Sequence, residues 1–189
     1  MSSSEINQTL TQLYNDLSDD YERVVVPIFR PMAKRLLQFV DLRPGWQVLD
    51  VGTGTGLLAL GGAPRVGKSG RMIGIDRAES MLKIARRKAA QYGFAQCEFK
   101  LGDVESLEIA DDSTNVVLSQ FALHHSDFPI ALKEIHRVLT KNGALVFQDW
   151  SSVPIPVFDA FYQTFEQLPP ASEIIAKLRA QSNWMRKFY

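Results

Sequence analysis

Three groups of residues in this chain have the types and spacing to do chemistry. The first is Val48-Leu49-Asp50-Val51-Gly52-Thr53-Gly54-Thr55-Gly56-Leu57-Leu58-Ala59, an apolar strand-like run that enters a glycine-rich turn and then a helix. Without Cβ atoms, such a turn takes dihedrals closed to other residues and lets a ligand reach the backbone. The helix that follows offers free N–H groups and the positive end of its dipole to a carboxylate or phosphate. The second group is three acids, Asp50, Asp76 and Asp103, each at or just beyond the end of a strand-like run. The third is His124-His125, also just past such a run, with side chains that titrate near neutrality.

Which ligand these groups suit depends on details. Gly54-Thr55-Gly56-Leu57-Leu58-Ala59 satisfies G-x-G-x-x-A, and Asp76 follows Gly56 at the ~20-residue interval of a dinucleotide site, which would suggest NAD. Gly62-Ala63-Pro64-Arg65-Val66-Gly67-Lys68-Ser69 spells G-x-x-x-x-G-K-S, the P-loop pattern. A P-loop opens a helix at its Lys-Ser, whereas here Gly70 and a strand-like run to Asp76 follow. Asp50, ahead of the glycines, would repel a pyrophosphate and suit a cationic ammonium or sulfonium. In a doubly wound sheet the carboxyl ends of the first three strands surround one crevice. Asp50, Asp76 and Asp103 are therefore expected to converge on a cationic ligand with a ribose and an exocyclic amine.

The elements that must position these groups are legible from periodicity. Strand-like runs at 47–51, 72–75, 97–101, 116–119 and 144–147 alternate with helical stretches at 57–63, 78–92 and 127–139. That alternation predicts an α/β, Rossmann-like doubly wound, mostly parallel sheet with helices on both faces. Upstream, 5–23 has apolar residues at helical spacing, and Pro27 suits the start of a second helix. Downstream, a Ser/Pro linker at 151–156 leads to two aromatic stripes, around Phe158–Leu168 and Ser172–Phe188, which read as packing surfaces. The expected organisation is lid helices at 1–43, a ligand-binding core at 44–150 and a C-terminal helical segment at 151–189.

Composition excludes several classes. The 189 residues include 21 Lys+Arg and 21 Asp+Glu, so the formal charge is zero and a strongly basic nucleic-acid binder is not expected. At 46% hydrophobic and 22% charged, the chain is neither disordered nor fibrous in composition. One cysteine, Cys97, permits no internal disulfide and no cysteine-rich zinc site. Adjacent histidines point in different directions and His136 falls on a covering helix, so no metal is expected. Met1-Ser2-Ser3-Ser4-Glu5 has no signal-peptide character and no apolar run approaches ~18 residues, so a cytoplasmic protein without a membrane span is expected.

The residues resemble the class I S-adenosylmethionine-dependent methyltransferases, in the small-molecule branch that includes the ubiquinone/menaquinone C-methyltransferases. The likeness runs from about Tyr14 to Trp150 and has its pieces in order: the 48–56 loop; Gly74-Ile75-Asp76-Arg77-Ala78-Glu79-Ser80-Met81-Leu82; Gly102-Asp103-Val104; 116–125; and 134–145. The resemblance implies S-adenosylmethionine as cofactor, methyl transfer to a small-molecule substrate, and a role for each matching residue. Gly52 and Gly54 would pack against the methionine part, with Asp50 near its ammonium. Asp76 would accept the ribose hydroxyls, Arg77 and Met81 would flank the adenine, and Asp103 and the Val104 N–H would meet the adenine edge. Ser119 and Gln120 would face the reactive methyl, Tyr21 would reach in from the lid, and His125 is the candidate catalytic base.

Three departures stand out. Thr114-Asn115 replaces a common Phe-Asp, and Lys141-Asn142-Gly143 replaces Pro-Gly-Gly, a change an Asn-Gly turn tolerates. Five strand candidates precede Tyr189, whereas the family fold has seven, so the last two are expected to be missing. A homodimer or partner completing the sheet edge would then be in keeping. The alternatives are an NAD-dependent oxidoreductase and a cofactor-binding, catalytically inactive fragment or regulatory subunit.

Overall fold

The computed structural model describes residues 3–150. Five strands form one sheet in the order β3-β2-β1-β4-β5, every neighbouring pair parallel: β1 (Gln47–Val51), β2 (Arg71–Asp76), β3 (Cys97–Leu101), β4 (Thr114–Gln120) and β5 (Leu139–Gln148). Helices α4 (Leu57–Val66), α5 (Glu79–Tyr92) and α6 (Phe128–Val138) connect them, and α1 (Ser3–Asp16), α2 (Ser18–Asp20) and α3 (Val26–Gln38) precede them. This is the Rossmann-like arrangement expected from the sequence. The C-terminal segment lies outside the described residues.

Side-chain parity in β1 builds two cores. Val48 joins Leu58, Ala59, Met72 and Leu118 on one face, with α3, α4 and α5. Leu49 and Val51 join Ile73, Ile75 and Val117 on the other, against Ile135 and Val138 of α6. Both faces are covered, so the central strands bury apolar side chains on both sides rather than alternating apolar with solvated polar ones. Burying each such side chain contributes about 1.5–3 kcal/mol.

Several local expectations change. The predicted break near Pro27 instead falls at Leu17: residues 18–38 run on helically through a wide turn at Tyr21–Val25, and Pro27, which has no N–H to donate, is accommodated in the first turn of α3. Lys141-Asn142-Gly143 lies inside β5 rather than in a turn before it. Thr114 pairs with Leu139 but Val116 pairs with Ala144, so the extra residues of β5 bulge out. Gly62 to Val66 belong to α4 and Lys68 is an exposed turn residue before β2, so no helix opens at Lys68-Ser69 as a P-loop requires.

Candidate functional site

The sheet order reverses between β1 and β4, and at such a point the helices on either side diverge and open a crevice at the strand ends. The crevice here is a cavity of about 110 Å³. From β1 it takes Val51, Gly52 and Gly54; from the end of β2, Asp76 and Arg77, with Met81 of α5; and beyond β3, Gly102 and Val104. Gln120, Phe121 and His125 close the β4 side, and Tyr14 and Tyr21 cover it from the N-terminal helices.

The glycine-rich loop is held tightly from beneath. Gly52 and Thr53 both donate to the Ile75 carbonyl, at 2.8 and 3.0 Å. Gly52 has φ +68° and a Cβ there would lie 2.1 Å from the Ala122 Cβ. Gly54, at φ +54°, has open space where its Cβ would stand. The one glycine is required by packing, whereas the other leaves room for something to lie against the backbone.

Asp50 does not reach the cavity. It shares a strand face with Val48, and its carboxylate accepts from Thr53 Oγ1 (2.6 Å) and the Ala59 N–H (3.1 Å). It therefore ties the loop to the first turn of α4 from behind. Burial pushes its pKa up to about 7 despite those two hydrogen bonds. The expected convergence of three carboxylates is thus corrected: of the three, Asp76 alone lines the cavity. Its oxygens accept from the Gly54 N–H (2.8 Å) and the Ala78 N–H (2.9 Å), and burial raises its pKa against the pull of those bonds.

Asp103 is turned to Arg77, whose Nη2 donates to it at 2.7 Å and to Glu105 at 3.0 Å. Asp103 also accepts from the Glu105 N–H, and Glu105 accepts from the N–H of Asp127, the N-cap of α6. The acid expected at an adenine edge is thus neutralised by a guanidinium and braces the loop, while its neighbour Val104 faces inward. Ser119 is likewise turned away: it is buried and donates to the Val51 carbonyl, bridging β4 to β1. Gly52, Gly54, Asp76, Arg77, Met81, Val104, Gln120, Tyr21 and His125 are on the wall; Asp50, Asp103 and Ser119 support it.

The lid is fastened at three points. The Tyr14 hydroxyl lies 3.3 Å from His125 Nε2, Asn15 Oδ1 accepts from the Ser80 N–H, and Glu22 pairs with Lys88 at 2.7 Å. Lys88 also donates to the Thr55 carbonyl, linking lid to glycine loop. The Tyr14 and Tyr21 rings meet edge to face, 6.1 Å between centroids. Burial raises both phenol pKa values, that of Tyr14 to about 12, so both hydroxyls keep their protons.

His125 is neutral here. Burial, reinforced by the neighbouring His124 and by Arg77 and only partly opposed by Asp149, lowers its pKa to about 3. His124 packs against it, 3.9 Å between centroids, with Nδ1 2.6 Å from Asp149. Asp149, just past β5, carries no local signal and was not anticipated. Phe121 is the other omission. It has φ +53°, donates its N–H to the Gln148 carbonyl, and stacks on Trp150 at 4.3 Å. A left-handed phenylalanine is set by these tertiary contacts, not by its neighbours in sequence.

The wall suits a nucleoside-containing cation. Asp76 offers acceptors at the β2 end, Gly54 leaves open space where a side chain would stand, and Met81 and Val104 add apolar surface to the wall. Among the described residues no cluster of His, Cys, Asp and Glu is arranged to hold a metal ion, and no helix is long and apolar enough to cross a membrane.

A family model described as a methyltransferase domain matches residues 42–189, and the chain belongs to that family. Its fold is that of the class I, S-adenosylmethionine-dependent enzymes, and S-adenosylmethionine is the cofactor that goes with it. Among curated relatives, it is 36% identical over 134 residues to nocamycin O-methyltransferase of Saccharothrix syringae, covering 70% of this chain and 48% of that protein. It is 28% identical over 183 residues to demethylmenaquinone methyltransferase of Staphylococcus aureus, covering 93% and 75%. The chain thus spans about half the length of the first and three quarters of the second. Among solved structures, the YcgJ protein of Bacillus subtilis superimposes with a TM-score of 0.60 at 30% identity, over 79% of this chain and 66% of that one.

Proposed function

We propose that this chain transfers a methyl group from S-adenosylmethionine to a small-molecule acceptor by in-line displacement. The observation that carries this reading is the joint wall of Gly54, Asp76, Met81 and Val104 beneath the Tyr14–Tyr21 lid. The cofactor, when bound, supplies an electrophilic methyl on a sulfonium centre. Asp76 accepts the ribose hydroxyls, Met81, Val104 and the Arg77 stem flank the base, and Gly52 and Gly54 give the methionine end close backbone approach. Asp50, Asp103 and Ser119 act from behind, by fixing the loops that carry these groups.

Tyr21, Gln120 and His125 surround the remaining space, where an acceptor is held in line. Neutral His125 offers a hydrogen bond to the acceptor; a base is needed only where the acceptor loses a proton as it attacks. Relatives named for nocamycin and demethylmenaquinone support a small organic acceptor. The 110 Å³ cavity is smaller than the ~300–1,000 Å³ of ordinary ligand sites, so a nucleoside enters with outward movement of Tyr14 and Tyr21. We also propose a cytoplasmic location. The exposed apolar side chains of Phe128, Ile130 and Phe147 beside β5 support association through that edge, which sedimentation analysis would report.

The test is titration calorimetry of the chain and of Asp76→Ala with S-adenosylhomocysteine, with NAD as control. Micromolar binding of the former, lost in the variant, is expected. Binding of NAD, or undiminished affinity in the variant, would overturn the assignment.

A further inference from the structure

A second hollow, of about 660 Å³, lies between α3, α4 and the C-terminal half of α5, and shares no wall residue with the first cavity. Its polar wall is Arg30, Lys34, Arg65 and Lys88; Leu37, Leu57, Leu60 and the Tyr92 ring supply an apolar surface. No acid is among its lining residues.

The charges differ in what they already do. Lys88 is paired with Glu22. Arg65 donates to the carbonyls of Leu37 and Val40, which fix its guanidinium over the end of α3 without cancelling its charge. Arg30 and Lys34, exposed and one turn apart on α3, have no acidic partner among the described residues. Three positive charges therefore remain uncompensated around one groove, in a chain whose total charge is zero. Gly61, exposed in the middle of α4, adds no side chain to the floor, and a Cβ there would meet Leu37 Cδ1 at 2.8 Å. The groove is thus kept open between cations and leucines.

We propose that this groove is a second ligand site, for an amphiphilic organic anion. A carboxylate or phosphoryl head sits between Arg30 and Lys34 with Arg65 behind, and an apolar chain or ring lies along Leu57, Leu60 and Tyr92. Both halves are needed. A bare anion at exposed cations is screened by salt, and a neutral apolar molecule gains nothing from them. A guanidinium and an ammonium four residues apart on one helix converge on one head group.

The experiment is calorimetric titration of the full chain with decanoate and with decyl phosphate below their aggregation concentrations, with and without S-adenosylhomocysteine. Inorganic phosphate and decanol are the single-feature controls. Saturable one-to-one binding is expected for an amphiphile of either head type, the tighter one identifying the preferred head, with neither control binding comparably. Arg30→Glu/Lys34→Glu, at exposed positions, should weaken binding at least 10-fold. Lys83→Glu/Arg87→Glu, an equal charge change on exposed α5 positions outside the groove, should leave it as in the wild type. Failure of both amphiphiles to bind, equal binding of decanol, an unaffected groove variant, or displacement by S-adenosylhomocysteine would each overturn the site.

Discussion

Gly52 and Gly54 look interchangeable in the sequence, two alternating glycines of one loop, and the structure predicts opposite consequences for replacing them. Gly52→Ala adds a methyl that would stand 2.1 Å from the Ala122 Cβ, at a backbone φ of +68°. The left-handed conformation costs a non-glycine residue about 1–2 kcal/mol, and forcing an extra methyl into packed surroundings adds about 1–3 kcal/mol. The total, about 2–5 kcal/mol, lowers the melting temperature of a domain this size by roughly 4–20 °C. Gly54→Ala has the same backbone penalty, about 1–2 kcal/mol, but no clash, because nothing lies within 4 Å of the added atom. Its melting temperature should fall by only roughly 2–8 °C. The methyl stands instead against the cavity, so S-adenosylhomocysteine binding should weaken at least 10-fold. Calorimetric melting and ligand titration of both purified variants make the comparison. Gly54→Ala binding like the wild type, or Gly52→Ala melting with it, would refute the division of labour.

Three further outcomes follow from buried polar groups. Thr55 Oγ1 is buried without a hydrogen-bond partner, so the nearly isosteric Thr55→Val should raise stability by about 1 kcal/mol, seen as a higher melting temperature. Asp50 ionises near 3.8 in the unfolded chain and near 7 when folded. Between those values the folded state binds more protons, so stability falls as pH rises through that window, and Asp50→Asn should flatten that slope in denaturant titrations at pH 4.5 and 7.5. His125 works in the opposite direction: with its folded pKa near 3, stability falls as pH drops below 6.5, and its ring proton resonances should stay constant from pH 8 to pH 5. Titration of that ring near 6.5 would contradict its burial.

Much of the fold was legible because it depends on local pattern. β1 and β3 coincide with the strand-like runs at 47–51 and 97–101, Gly93 stops α5 in a left-handed C-cap, and Asp127 caps α6 through its side chain. The glycine loop was legible for the same reason, since a strand, three alternating glycines and a helix are neighbours in the chain. The carboxylates were not. Asp50, Asp76 and Asp103 occupy similar positions at strand ends; strand parity groups Asp50 with Val48, but which face of the sheet α4 covers is not written in β1 itself. Asp103 is drawn off by Arg77, a partner from another strand end, which no count along the chain reveals.

What the sequence alone determined was therefore the order and type of elements and the crevice at the strand ends, products of periodicity and short-range steric rules, while the cofactor class followed from the resemblance of its motifs to a known family. Tertiary structure alone decided which of those side chains face the cavity. It set the left-handed Phe121, the Asp149–His124–His125 cluster and the bulge in β5, each through contacts between segments distant in the chain. The physical reason is range. A turn or a helix start is specified by groups a few residues apart, whereas a side chain's direction and charge state are settled by whatever packing brings beside it.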